Sequence, residues 1–107
     1  MLILSATPAS DRSTRFGNSY ETRYGPITNY AVNSYDATRL LLTAIQAAAV
    51  IENAPTRKNV VATLRNLRFL GIAYERPVTW DEKNDNLAAV TALYVVDDAR
   101  FRQVAVV

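Results

Sequence analysis

The sequence predicts a mixed α/β fold in which helices come first and strands follow. Up to about Leu70, apolar residues recur at three- and four-residue spacing, which is the period of a helix. After Pro77 the apolar residues alternate with polar ones or form short runs, which is typical of strands. The 107 residues suffice for one small domain with a modest core. This order of the two periods indicates an α and β class.

Composition removes several kinds of chemistry. The chain has no cysteine and no histidine, so disulfides, zinc hydrolase sites, serine triads and cysteine–histidine pairs are excluded within it. Its 12 basic and 10 acidic residues give a net charge of +2 and are scattered, which argues against a nucleic-acid partner. We therefore expect no enzyme activity, no metal and no cofactor.

The first helix is predicted over about residues 12–24, with Ser10 or Asp11 as its N-cap and Gly25 at its end. The third is predicted over about residues 57–67, with Thr56 as its N-cap. Its predicted core face consists of Val60, Val61, Leu64 and Leu67.

The second helix, predicted over about residues 30–51, carries the strongest pattern. Its apolar stripe consists of Tyr35, Thr38, Leu42, Ile45 and Ala49. Further apolar residues widen this stripe, so we expect other structure to cover the helix. The apolar run over residues 40–51 is shorter than the roughly 20 residues that cross a bilayer, so no membrane insertion is expected. Asp36 is expected to interact with the helix dipole rather than to catalyse.

Short strands are predicted over about residues 78–80, 88–96 and 101–106, the last two forming a hairpin. The acidic loop between the first two lacks the ligand spacing of a calcium loop. Within it, Asn84 tolerates the left-handed conformation that such turns need.

Four segments resemble type I periplasmic binding proteins of the branched-chain amino acid (Leu/Ile/Val) transport family. Residues 30–41, YAVNSYDATRLL, resemble the family's helix start YA..GYDA..LL. Residues 77–85, PVTWDEKND, are close to its GP(L/V)TWDEKGD segment. Residues 92–101 resemble its closing strand pair, and residues 16–25 match the F...Y...YG helix. At Asn84 and Ala99 this chain departs from the family, which has glycine in both turns.

The resemblance implies a C-terminal fragment of a fold with two lobes around a cleft. Residues 1–107 would form one partial domain: about 7–85 would complete the first lobe, 87–91 would cross the hinge, and 92–107 would join the second lobe. The long helix would then cover a sheet that this chain lacks. We therefore expect the isolated chain to expose apolar surface and to be marginally stable or self-associated.

The function that the resemblance implies is extracytoplasmic solute binding for an ABC importer. The partners would be an ABC transporter permease and a small ligand, an amino acid of the branched-chain type or a similar polar solute, captured by hinge closure. Tyr30 matches the family position where an aromatic ring packs on the ligand, with Asn29 and Asn33 as possible neighbours. The location implied is the periplasm, although Met1 to Leu4 is too short an apolar run for a signal peptide.

Three alternatives stay open at the level of sequence. The same fold also serves ligand-sensing regulatory or receptor domains, in which closure signals to a partner protein. The chain could equally be an inactive structural fragment. An unrelated small structural protein, with Tyr30 as a core aromatic at a helix start, would fit composition alone.

Overall fold

The computed structural model describes residues 3–28, 30–53 and 55–107. In chain order, the elements are β1 (Ile3–Ala6), α1 (Asp11–Tyr24), α2 (Ala31–Glu52), α3 (Arg57–Asn66), β2 (Ala92–Asp97) and β3 (Arg100–Val106). The three predicted helices are confirmed, with ends that lie within one residue of those expected. The mixed class, with helices and a short antiparallel sheet, is also confirmed.

The helix caps explain why these boundaries could be predicted. Ser10 caps α1 through a capping box, in which its hydroxyl accepts from the Ser13 N–H at 3.1 Å and the Ser13 hydroxyl accepts from the Ser10 N–H. The Thr56 hydroxyl accepts from the Asn59 N–H at 3.2 Å and caps α3. Asn53 ends α2 in the left-handed conformation, with φ of 53°.

The strands form one antiparallel sheet in the order β1-β2-β3. The predicted hairpin is confirmed. Asp98 and Ala99 form its two-residue loop, and their φ values of 47° and 59° are those that a type I′ turn requires. Asn84, at φ 66°, has the left-handed conformation that was expected of it.

Two strand predictions need correction. Residues 78–80 form no strand; Val78 and Trp80 make only isolated bridges, to Phe69 and Asn86. The strand predicted from residue 88 starts at Ala92. The sequence analysis did not predict β1, since its partner β2 lies far along the chain and four residues are too few for a clear alternation.

In the described part of the chain, two small clusters of buried apolar side chains pack against α2. In the first, Ala44 and Ala48 of α2 contact Val60 of α3, and the short alanine side chains let the two helices approach closely. The second cluster contains Phe69, Val78 and Ala88, with Leu40, Leu67, Tyr74 and Trp80 packed against it. The Trp80 indole N–H donates to the Leu64 carbonyl at 2.8 Å and joins the segment after α3 to that helix.

The predicted apolar stripe of α2 is on a different face from this core. Leu42 is 59% exposed and Ile45 is also exposed, so the middle of the stripe is uncovered, as expected. Val61, predicted to belong to the α3 core face, is 47% exposed and points away from it. The radius of gyration is 16.6 Å, compared with about 13 Å for a compact domain of this size. The chain's own strands therefore do not close over the α2 stripe.

Candidate ligand-binding site

An open groove of ≈ 840 Å³ lies between the C-terminal half of α1 and the first turn of α2. Five aromatic side chains line it: Phe16, Tyr20, Tyr24, Tyr30 and Tyr35. The remaining lining is mainly hydroxyl-bearing: Ser19, Thr22, Thr28 and Ser34, with Ala31 and Arg23. We refer to this feature as the aromatic groove.

Sequence spacing builds the aromatic groove. Phe16, Tyr20 and Tyr24 follow one another at i, i+4 on α1, which places them in a row along one face. The Phe16 and Tyr20 ring centroids are 6.0 Å apart, and those of Tyr20 and Tyr24 are 5.1 Å apart. Phe16 also meets Tyr35 of α2 at 4.7 Å, which joins the two helices at the base of the groove. These separations are in the range of favourable ring pairs.

Tyr30 stands at the rim of the aromatic groove. It is the N-cap residue of α2, and its side chain makes no capping hydrogen bond. It is 78% exposed, so it is not the core aromatic that composition alone would allow. Its ring is therefore available to a molecule that enters the groove. The assignment of Tyr30 to ligand binding remains a prediction.

Of the two weaker candidates, the structure describes only Asn33, which does not share that position. Asn33 is half-buried, and its side-chain amide donates to the Tyr74 hydroxyl at 3.4 Å rather than lining the aromatic groove. Asn29 lies outside the described residues. Phe16, Tyr20, Tyr24 and Tyr35 were not among the predicted site residues, although the i, i+4 spacing of the first three indicates a shared helix face.

Asn33 instead lines a second cavity, of ≈ 410 Å³, between the helices and the sheet. Its walls include Ser13, Asn18 and Glu21 of α1 and Tyr94 of β2. Among the described residues, no group of histidine, cysteine, aspartate or glutamate side chains could hold a metal ion.

A turn at residues 71–74 ties the N-terminal parts of α1 and α2 together. Asp36 of α2 is only 7% exposed, and its carboxylate accepts from the backbone N–H groups of Ile72 and Ala73 at 2.8–3.0 Å. From α1, the Ser10 hydroxyl donates to the Ile72 carbonyl at 3.0 Å. Arg12, beside it, donates to the Tyr74 carbonyl at 2.7 Å. We call this arrangement the 71–74 latch.

The latch corrects the role expected of Asp36. The residue lies beyond the first turn of α2, which contains no acidic residue, so its carboxylate does not complement the helix dipole. It satisfies two backbone donors instead. Because both helices that form the aromatic groove are held by the same turn, Asp36 also helps to fix the separation of the groove walls.

Helices thus pack on helices, strands pair apart from them, and the aromatic groove is open to solvent. The chain belongs to the periplasmic binding protein family, since the family's sequence profile matches residues 3–105. No curated protein matches the chain significantly.

Solved structures show the same fold. A leucine-binding protein of Thermotoga maritima matches with a TM-score of 0.74 at 21% identity, over 99% of this chain and 30% of its own. An ABC transporter substrate-binding protein of Desulfitobacterium hafniense, in complex with Leu, matches with a TM-score of 0.73 at 24% identity, over 96% and 31%. A branched-chain amino acid ABC transporter periplasmic ligand-binding protein of Burkholderia xenovorans LB400 matches with a TM-score of 0.73 at 16% identity, over 98% and 30%.

These matches confirm the resemblance that the sequence motifs indicated. The chain has part of the type I periplasmic binding protein fold and spans about a third of the length of the matched proteins. The three matched structures are those of solute-binding proteins, and two of them are described as parts of ABC transporters. In the part of the chain that the structure describes, no helix is both long and apolar enough to cross a bilayer.

Proposed function

We propose that the chain is part of an extracytoplasmic protein that captures a small solute for an ABC importer. The solute is an amino acid of the branched-chain type or a similar small polar molecule. Family membership and the three structural matches support the general role. The observation that carries the assignment to this chain is the Tyr30 ring, which is exposed at the rim of the aromatic groove.

Capture occurs by closure of two lobes around the solute. In this proposal residues 7–85 belong to the first lobe, residues 87–91 cross the hinge and residues 92–107 join the second lobe. The packing supports this division, since among the described elements helices contact helices and strands contact strands. The pairing of β1 with β2 adds residues 3–6 to the strand side, so the chain would cross the hinge twice. Ligand contacts from both lobes favour the closed state.

The aromatic groove supplies a recognition surface and no reactive group. A tyrosine ring has a flat apolar body that packs on a ligand side chain and a hydroxyl that donates or accepts a hydrogen bond. We propose that the chain takes part in binding without catalysis. In the complete protein, which would act in the periplasm, the closed form would deliver its solute to a transporter permease.

The proposal is tested by calorimetry on a chimera. Residues 3–105 of this chain replace the matched part of the Thermotoga maritima leucine-binding protein, and leucine, isoleucine, valine and short amides are titrated. Tyr30→Ala in the chimera should weaken binding about tenfold, which is the effect of losing one aromatic contact together with its apolar burial.

Phe101→Ala is the matched control. Phe101 is also an exposed aromatic, at 67%, but it lies on β3 and does not line the aromatic groove. Its removal should leave the affinity unchanged. Equal affinities for the parent chimera and its Tyr30→Ala variant would remove Tyr30 from the site, and a folded chimera that binds none of the solutes would contradict the proposed function.

A further inference from the structure

Asp36 is the one buried charged side chain among the described residues, at 7% exposed. Both of its carboxylate oxygens are engaged. Oδ2 accepts from the Ile72 and Ala73 N–H groups at 2.9 and 2.8 Å, and Oδ1 accepts from the Ile72 N–H at 3.0 Å. Hydrogen bonds to an ionised acceptor are among the stronger ones in proteins. Further protein packed around this chain would bury Asp36 more deeply, so its environment holds in the matched folds, of which the chain spans about a third.

The first turn of α2, which follows Tyr30, has no side-chain cap of its own. Tyr30 makes no capping hydrogen bond, and the turn contains no acidic residue. The helix begins with the Ser34 N–H, which donates to the Tyr30 carbonyl at 2.9 Å. Helix ends without capping side chains leave their first N–H groups unsatisfied and fray. The position of Tyr30 therefore depends on what holds α2 from outside its first turn.

The 71–74 latch holds α2 in this way. Asp36 lies fewer than two helical turns after Tyr30. Between them, the Asn33 side-chain amide donates to the Tyr74 hydroxyl at 3.4 Å. Asn33 and Asp36 are three residues apart and so contact the same turn from one side of the helix. The start of α1 donates two hydrogen bonds to that turn as well. The latch therefore fixes the N-terminal half of α2 against α1.

We propose that Asp36 is a positioning residue for solute binding, which sets the place of the Tyr30 ring through the 71–74 latch without touching the solute. Asp36 does not line the aromatic groove, so its removal acts through the placement of other residues. This inference rests on the proposed function, because the placement of Tyr30 matters only if its ring contacts the solute. Loss of Asp36 should then weaken binding by no more than loss of the Tyr30 ring itself.

The first test uses the 107-residue chain and follows amide hydrogen exchange by NMR. Asp36→Ala should speed the exchange of the Ser34 N–H about fivefold or more, because the first turn of α2 loses its support. Alanine is a better helix former than aspartate, so an Asp36 that acted only within its own helix would give slower exchange on substitution. Val60→Ala, which truncates a buried side chain at the contact between α2 and α3, should leave exchange at Ser34 unchanged. Slower or unchanged exchange in Asp36→Ala, or equal acceleration in both variants, would overturn the inference.

The second test measures leucine binding to the chimera by calorimetry. Asp36→Ala should weaken it about three- to tenfold, up to the effect expected for Tyr30→Ala. Asp36→Asn should restore most of the affinity, because its amide oxygen can take the place of Oδ2 and accept from both backbone N–H groups. Gly71→Ala should weaken binding in the same way as Asp36→Ala, since its β-carbon would displace the Asp36 carboxyl group.

Coupling with Tyr30 separates placement from general stability. In the Tyr30→Ala background, Asp36→Ala should change the leucine affinity by less than about twofold, because the ring that Asp36 positions is absent. Val60→Ala serves again as the control. It should lower the unfolding midpoint through the cavity that it leaves, without changing the affinity of the folded chimera.

The outcomes separate the inference from the proposed function. If the chimera binds leucine and Asp36→Ala leaves the affinity unchanged, or weakens it equally with and without the Tyr30 ring, the inference is overturned and the proposed function stands. An equal loss of affinity in Val60→Ala would also overturn it, because affinity would then follow stability. A folded chimera that binds none of the solutes refutes the proposed function and this inference with it.

Discussion

Within the 71–74 latch, the Asp36 carboxylate lies directly against the backbone of Gly71. A β-carbon built on Gly71 would overlap the Asp36 carboxyl group. Gly71 does not adopt a left-handed conformation, so its backbone would accept alanine if the carboxyl group were absent. Glycine is therefore required at position 71 because the Asp36 carboxyl group lies so close, and not because of the backbone conformation of Gly71 itself. Gly71→Ala should destabilise the chain only while Asp36 is present.

The magnitudes follow from the contacts. Asp36→Ala leaves the backbone donors of Ile72 and Ala73 without their acceptor, and each hydrogen bond to a charged group is worth about 1.5–3 kcal/mol. We expect a loss on the order of 3 kcal/mol. Gly71→Ala crowds a filled site and should cost about 1–3 kcal/mol. In the Asp36→Ala background the same change should instead be neutral or stabilising by about 0.4–1 kcal/mol, because alanine restricts the unfolded chain.

The assay is a double-mutant cycle from urea denaturation, with Trp80 fluorescence as the probe. Trp80 is the only tryptophan, and its hydrogen bond to Leu64 reports on the packing between α3 and the segment that follows it. The expected coupling energy between the two positions is on the order of 2 kcal/mol. Gly17→Ala is the control, since a β-carbon there meets only the Ile27 side chain at an ordinary 3.8 Å. Additive effects of the two changes would refute the proposed contact.

Three further predictions concern the hairpin, the α1 cap and the α2 stripe. Ala99→Gly should raise the free energy of unfolding by about 1 kcal/mol in urea denaturation, because Ala99 occupies a left-handed position; a loss of stability would contradict the turn assignment. Ser10→Ala should lower the free energy of unfolding by about 1–2 kcal/mol in the same assay, because it removes the capping box and the hydrogen bond to the Ile72 carbonyl. Unchanged stability would argue against a stabilising role for either interaction. The double substitution Leu42→Lys and Ile45→Lys should lower the binding of a dye that reports exposed apolar surface, and it should lower self-association measured by sedimentation. A monomeric parent chain that binds no dye would show that the stripe does not need to be covered.

The helix ends and turns could be predicted from the sequence because they depend on local patterns. Ser10 and Thr56 mark helix starts through side-chain hydrogen bonds that act within three residues, and Asn53 marks a helix end by its left-handed conformation, so these boundaries could be predicted. Asn84 and the Asp98–Ala99 loop carry turn signals of the same local kind. The short distances over which these interactions act are why they could be read without coordinates.

Features that depend on contacts between distant residues could not be read in the same way. The pairing of β1 with β2 and the 71–74 latch each join segments that are far apart in the chain, and no spacing rule connects Asp36 with Gly71. Val61 was assigned to the core because it is apolar. Its exposure depends on which face of α3 packs against α2, and Val61 is not on that face. The candidate Tyr30 came from a family motif, whereas the groove beside it became visible only when α1 and α2 were placed together.

The most direct measurement of the central claim is a crystal structure of the chimera grown with leucine. We expect the Tyr30 ring to lie within about 4 Å of the bound solute, in a cleft between the two lobes. A structure in which the solute is bound elsewhere, with Tyr30 facing bulk solvent or packed only against protein, would contradict it.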